Sequence, residues 1–315
     1  MRISLNANNG QCTNKAHKNQ MPKPKIKFNF LPSLDSDDIA ESIRCALDIS
    51  RSTASSLGQS ALEAAQQGYY FNTGGVKVDW SDSVQAACDN KISIAPTDAL
   101  PVFQHGIHGE TRIQVANETT LIAAHRLVDS GLRPLALNFA NGITPGGGFL
   151  SGARAQEEVL CRSSALYSTL IGDLMYQAHR QRQQPDSSDW AIYSPDVPVF
   201  RLDNGTALPQ PWLLNILTCA APYAPGIGKQ QSAELLRQRI HRVLAIARAH
   251  EYSTLVLGAW GCGAFGNDPK QTATDFRQVL ENDFNGTFSD IIFAITDWSP
   301  ERKFLGPFNE VFSGL

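Results

Sequence analysis

Several things are scarce or missing in this chain, and each shortage removes a class of protein. The six cysteines, Cys12, Cys45, Cys88, Cys161, Cys219 and Cys262, form no CxxC pair and no zinc-ligand spacing. That argues against a disulfide framework and for reduced thiols in a reducing compartment. No apolar run approaches the ~18 residues of a membrane-spanning helix, and the N-terminus carries no apolar signal-peptide core. The expectation is therefore a cytoplasmic protein with no membrane partner, a signal-independent route of export being left open. No GxxxxGK[ST] occurs, which removes P-loop nucleotidases. An excess of charge is missing too: 27 basic against 30 acidic residues leave a formal net charge of -3. The molecule as a whole is no electrostatic trap for nucleic acid, and no specific nucleic-acid partner is expected.

What is present fits a globular chain. The 315 residues, 42% hydrophobic and 18% charged, suffice for one large domain or two modest ones with a substantial core. Residues 1–33 hold Arg2, Lys15, Lys18, Lys23, Lys25 and Lys27 without an acid and read as a basic, flexible tail. Residues 34–109 read as an accessory region packed on the core. It opens on an acid-rich helical stretch, "SDDIAESIRCALDISRSTASSLGQSALEAAQQG", and closes on the short strands "GGVKVDW" and "KISIAP".

From residue 110 to 315 the texture is that of the core. Strands are expected at "TRIQVAN", "RPLALNFAN", "AIYSPDVPVFR", "PWLLNILTCAAP", "STLVLGAW" and "DIIFAITDW". Helices are expected at "TTLIAAHRLVDSG", from Gln156 on through "VLCRSSALYSTL", at "QSAELLRQRIHRVLAIARAHE" and from Pro269. This alternation predicts an α/β domain of three layers around a central sheet, with ligands bound in loops at the carboxyl ends of strands.

Two glycine loops fall at such ends. Gly261, Gly263 and Gly266 match GxGxxG after a strand, with Asp297 closing the next one. A dinucleotide fold is nevertheless a poor fit, because "NDP" delays the helix to Pro269 and no second half of the fold follows. The other loop, "TPGGGFLSGARAQEE", sets Gly146, Gly147 and Gly148 ahead of Gln156, Glu157 and Glu158. Bare backbone N–H groups ahead of a helix N-terminus suit phosphate oxygens. Glu157 and Glu158 project ~100° apart on a helix, so one can bind hydroxyls while the other faces a scissile bond. The competing reading of these acids is plain helix capping. Phe265 in the second loop can stack on a base or plug the loop from below. His105 and His108 have HxxH spacing with no third ligand candidate nearby, so no metal is expected.

The stretch "GGGFLSGARAQEE" resembles the GGG-x(6–8)-QEE signature of poly(ADP-ribose) glycohydrolases, and "NFANGITPGGG" and "LGAWGCGAFGNDP" resemble the flanks of the short bacterial-type members. The resemblance covers roughly residues 35–300. It implies a macrodomain-like α/β/α sandwich with a mixed central sheet and an N-terminal helical accessory region. It further implies hydrolysis of ribose–ribose O-glycosidic bonds without a cofactor, exo-acting, on poly(ADP-ribose) or another ADP-ribosylated macromolecule, with ADP-ribose as product. Carried over by position, Gly146, Gly147 and Gly148 wrap the diphosphate and distal ribose. Gly261, Cys262, Gly263, Ala264 and Phe265 close over the diphosphate, with Phe265 near the adenosine. Asn141 holds distal-ribose hydroxyls, Gln156 joins the binding set, Glu157 orients the ribose, and Glu158 is the catalytic acid/base, protonated at neutral pH. Two alternatives remain: removal of single ADP-ribose units from a protein or nucleic acid or cleavage of an ADP-ribose metabolite, and a non-catalytic ADP-ribose-binding module, the intact QEE weighing against the second.

Overall fold

The computed structural model describes residues 26–101 and 108–313. Strand β1 (Lys27–Phe30) leads to helices α1 (Asp37–Leu47) and α2 (Arg51–Gln67), the antiparallel ribbon β2 (Tyr69–Phe71) and β3 (Lys77–Asp79), helix α3 (Ser81–Asp89) and strand β4 (Ile92–Ile94). Then come β5 (Glu110–Ala116), α4 (Thr120–Asp129), β6 (Pro134–Phe139), a 3-10 turn at Phe149–Ser151, α5 (Gln156–Ser163), α6 (Leu166–Leu170) and α7 (Leu174–Arg180). The chain continues through β7 (Ala191–Arg201), β8 (Ala207–Cys219), α8 (Ala224–Ile227), α9 (Lys229–Ala249), β9 (Thr254–Leu257), α10 (Pro269–Asp283), β10 (Asp290–Ala294) and α11 (Leu305–Phe312).

Eight strands form one mixed sheet in the order β1-β5-β10-β9-β6-β8-β7-β4, parallel from β1 to β8 and antiparallel at β7 and β4. Strand side chains alternate between two apolar cores, as the two-residue period of a strand requires. Leu135, Leu137, Leu255, Leu257, Ile291 and Phe293 join Ile240 and Val243 of α9, Phe276 of α10 and Phe308 of α11. Ala136, Val256 and Ile292 face the other way, toward Leu121 and Ala124 of α4 and Leu160 of α5. The result is the three-layer α/β/α arrangement, with the carboxyl ends of the parallel strands opening on one rim. Among the described residues no helix is long and apolar enough to cross a membrane.

Three sequence expectations change. The basic segment gives way to structure before residue 33, because Lys27–Phe30 adds to the sheet edge in register with Glu110–Ile113. Phe28 and Phe30 of "KFNF" pack on the apolar core there, Phe30 lying 6.2 Å from the Phe312 ring. Residues 1–25 lie outside the described residues. The accessory region is also more than a layer on the core, since β4 closes the opposite sheet edge against β7. Finally, the helix expected to run unbroken from Gln156 stops at Ser163. Ser164 turns extended (φ -145, ψ 176), donates its hydroxyl to Leu160 O, accepts the Leu166 N–H and bridges to Val199. A serine that can bond backbone on both sides competes with the helix it interrupts.

Helix α2 lies directly under the first glycine loop. Gly58 lets the backbone of Phe149 approach, since a Cβ there would fall 2.5 Å from Phe149 O, and Ser55 Oγ donates to Leu150 O at 2.6 Å. Gly152 (φ +84) has no room for a side chain, because a Cβ would overlap the carbonyl of Arg51. Gly152→Ala is therefore expected to destabilise the protein by about 2 kcal/mol or more through strain and the lost docking of α2, read as a lower urea midpoint. A midpoint equal to that of the wild type would show that this contact yields.

Candidate active site

Five parallel strands end on the same rim, and their following loops wall a cleft of about 390 Å³. Glu118–Leu121 come from the end of β5, Phe139–Asn141 from β6, Ala221 from β8, Ala259–Gly261 from β9 and Ala294–Thr296 from β10. The first turn of α5, Gln156 to Glu158, forms its floor. Ligands sit at strand carboxyl ends in open α/β sheets for this reason: the sheet supplies rigidity and the loops supply chemistry.

The residues before α5 are tied to the acids. Asn141 Oδ1 accepts the N–H groups of Ile143 and Thr144, both at 3.0 Å, and so starts the turn into the glycines. The Asn141 N–H donates to Glu157 Oε2 at 2.7 Å. Asn138, fully buried in β6, donates to Thr218 Oγ1 at 3.2 Å and reaches Glu157 Oε1 at 3.4 Å. Gly146 and Gly147 take left-handed backbone (φ +67 and +57), which brings the Gly148 N–H to 2.9 Å from Glu158 Oε1. The triple glycine thus lies against the carboxylates, and Gly148 holds one of them.

Gln156 is placed differently from a free ligand contact. Its Oε1 accepts the Phe139 N–H at 2.8 Å, and its Nε2 donates to Leu137 O at 2.8 Å and Thr120 Oγ1 at 3.1 Å. The amide lines the cleft while fastening α5 to the end of β6. Both acids are buried, Glu157 at 3% and Glu158 at 8% exposure. Burial pushes Glu157 up to about 8, the neighbouring Glu158 charge adding to the rise and the Asn141 N–H opposing it. Glu157 is the more enclosed of the two acids. Glu158 Oε2 is buried and has no hydrogen-bond partner among the described residues.

The second loop is held from behind. Asn267 donates to Pro222 O at 3.0 Å and Gly261 O at 3.2 Å and accepts Ser232 Oγ at 2.6 Å. Gly261 (φ +75) packs so closely that a Cβ would lie 2.7 Å from Asn267 Nδ2. Gly261, Gly263, Ala264 and Phe265 line the cleft, and Phe265 stands edge-on to Tyr223 at 5.8 Å. Cys262 differs from its neighbours. Its thiol turns into the core toward Trp260 O (3.6 Å) and Thr272 Oγ1 (3.5 Å), where burial pushes it up to about 12. That side chain does not line the cleft.

Several cleft residues carried no recognised signal in the sequence. Asp203 arrives from the β7–β8 turn, with Thr119 donating to its Oδ2 at 2.7 Å. Glu118, paired with Arg126, also lines the wall, as do Trp298 and Phe304 from beyond β10. Asn138 did have a signal: it is a lone polar side chain in an otherwise apolar buried strand. Among the described residues no three His, Cys, Asp or Glu groups converge on a metal-sized site, and His105 lies outside them.

Comparison with known proteins follows the same line. A family model, microbial-type PARG, catalytic domain, matches residues 58–202. The poly(ADP-ribose) glycohydrolase (PARG) of Thermomonospora curvata is 39% identical, with 82% of this chain and 99% of that one covered and a TM-score of 0.77. The same enzyme bound to the inhibitor ADP-HPD gives 38% identity, 82% and 98% coverage and a TM-score of 0.75. The Deinococcus radiodurans enzyme in complex with ADP-ribose gives 38% identity, 74% and 98% coverage and a TM-score of 0.66. A search of curated proteins finds no match.

Proposed function

The chain belongs to the microbial-type poly(ADP-ribose) glycohydrolase family and is a glycoside hydrolase of poly(ADP-ribose); we propose that it removes terminal ADP-ribose units, with Glu158 moving the proton and Glu157 orienting the ribose. One observation carries the assignment. Glu158 has one oxygen fixed by the Gly148 N–H, while the other is buried at the cleft with no hydrogen-bond partner among the described residues. Glu157, by contrast, is held by the Asn141 N–H and Asn138, as suits a group that binds rather than reacts.

The reaction balances without a metal. The Glu158 carboxyl gives its proton to the oxygen leaving C1 of the terminal ribose, and that C–O bond breaks with an oxocarbenium-like sugar. The Glu158 carboxylate then takes a proton from water as the water oxygen bonds to C1. ADP-ribose and a polymer shorter by one unit, with a free ribose hydroxyl at its new end, are the products. The two loops position the diphosphate, and Phe265, half-buried at the rim, stacks at the adenosine end. The free thiols of Cys45, Cys88, Cys161, Cys219 and Cys262 support a reducing, cytoplasmic setting.

The choice of substrate is tested by incubating the protein with poly(ADP-ribose) and, separately, with a mono-ADP-ribosylated protein. The polymer is expected to be degraded and the last protein-linked unit left in place. Release of that unit from the mono-modified protein at a comparable rate would assign the activity to single-unit removal instead.

A further inference from the structure

We propose that Arg162 is a positioning residue for Glu158: buried under the cleft with Asp203, it sets the charge environment in which Glu158 releases and recovers its proton. The inference rests on the reading of Glu158 as the acid/base. Arg162 is 1% exposed, and its Nε, Nη1 and Nη2 have no hydrogen-bond partner among the described residues. It follows Glu158 by one turn of α5, so both side chains leave the same face of the helix. Asp203 has one oxygen on Thr119, and its Oδ1 is buried and unpartnered among the described residues, as is Glu158 Oε2. A buried cation with three donors unpaired among the described residues thus lies within electrostatic reach of two carboxylates that each keep an unpaired oxygen.

Such an arrangement is costly. A guanidinium stays charged in a protein, and enclosing it without an acceptor is among the least favourable things a core can do. An apolar side chain would pack at this position without that penalty, so stability alone does not account for an arginine. The reaction does. When Glu158 gives up its proton, a second carboxylate charge forms beside Glu157 in an enclosed site, which Coulomb repulsion opposes. Arg162 offsets that charge, and Asp203 limits how far it does so. The mutual pull is visible in their ionisation: burial lowers Arg162 while Asp203 and Glu158 raise it, and burial raises Asp203 while the Thr119 hydroxyl and Arg162 lower it.

Among the described residues the charged groups around Arg162 are few. Glu157 and Glu158 share its helix, Arg154 precedes it, and Arg201 of β7 donates to the Arg162 carbonyl at 3.4 Å. Asp203 stands on the β7–β8 turn, and Glu118 faces the cleft in a pair with Arg126. On the packed helices, Arg51 and Glu63 of α2 are exposed, as are Arg126 and Asp129 of α4, and His125 is half-buried.

The test is the pH dependence of kcat on poly(ADP-ribose) for the wild type, Arg162→Met, Asp203→Asn and Glu158→Gln, with ADP-ribose affinity measured in parallel. Removing the positive charge makes the acid hold its proton longer. The basic limb of Arg162→Met is therefore expected about one pH unit or more higher, with kcat at neutral pH about tenfold lower and ADP-ribose affinity little changed. Asp203→Asn removes a negative charge and moves the limb down. A folded Arg162→Met with the limb of the wild type overturns the proposal, as do shifts of both variants in the same direction. If Arg162→Met does not fold, Asp203→Asn decides: an unmoved limb overturns the proposal and a lowered one supports it. Should Glu158→Gln turn polymer over at the wild-type rate, the reading of Glu158 has failed, which is a separate outcome.

Discussion

Glu158→Gln should lose turnover of poly(ADP-ribose) by about a thousandfold or more while still binding ADP-ribose. The amide matches the carboxylate in shape and keeps an oxygen for the Gly148 N–H, so the loop that rests on it should stay in place. What it loses is the ability to give a proton to the leaving oxygen and take one from water. Calorimetric titration with ADP-ribose and a polymer turnover assay separate the two consequences. Loss of both would make Glu158 a binding group, and loss of neither would remove it from the mechanism. The companion acid adds a pH dependence. With Glu157 raised to about 8 by burial, the pair retains a proton near neutrality, so activity should fall as pH rises through about 8. The sign for stability is the same. A carboxyl raised from 4.5 to about 8 binds its proton more tightly in the folded state, so stability declines as pH climbs across that window.

Gly147→Ala should also damage catalysis, without replacing a catalytic group. Gly147 sits at φ +57, which an alanine adopts only with strain. Its Cβ would overlap Glu158 Oε1 and lie 3.0 Å from Glu157 Oε2. Both acids would have to move, and Gly148 would no longer reach Glu158. Misplacement on the order of 1 Å costs about a hundredfold in rate, so kcat is expected to fall by about that factor, with only a modest loss of thermal stability. A variant with the wild-type kcat would mean that the acids have room to shift, contrary to the close contact seen here. Gly146→Ala makes a useful contrast. Its added methyl group meets the rings of Phe149 and Tyr167 rather than the carboxylates, so stability should suffer more than chemistry.

What the sequence revealed, and what it hid, divides along physical lines. The alternation of strands and helices and the glycine loops at strand ends depend on local pattern and were legible. So was the acidic pair at the start of α5, because a helix fixes which side chains share its first turn. Asp203 was not legible: it enters the cleft from a hairpin tip 45 residues after Glu158, and only tertiary folding brings them together. Arg162 sits in an unremarkable "VLCRSS", where nothing local distinguishes a buried arginine from a solvated one. The upward shift of Glu157 was hidden as well, since it comes from how deeply that acid is enclosed, a property of the packed structure. Strand β1 was hidden by the lysines around it, although the Phe-Asn-Phe alternation already marked an edge strand.

Product analysis on poly(ADP-ribose) of defined length, digested by the wild type and by Glu158→Gln side by side, tests the central claim most directly. Free ADP-ribose appearing from the first time point with the wild type alone, while the remaining polymer shortens gradually, is the predicted result. Oligomeric fragments appearing before ADP-ribose would contradict terminal cleavage, and equal digestion by the Glu158→Gln variant would contradict the chemistry assigned to the floor of the cleft.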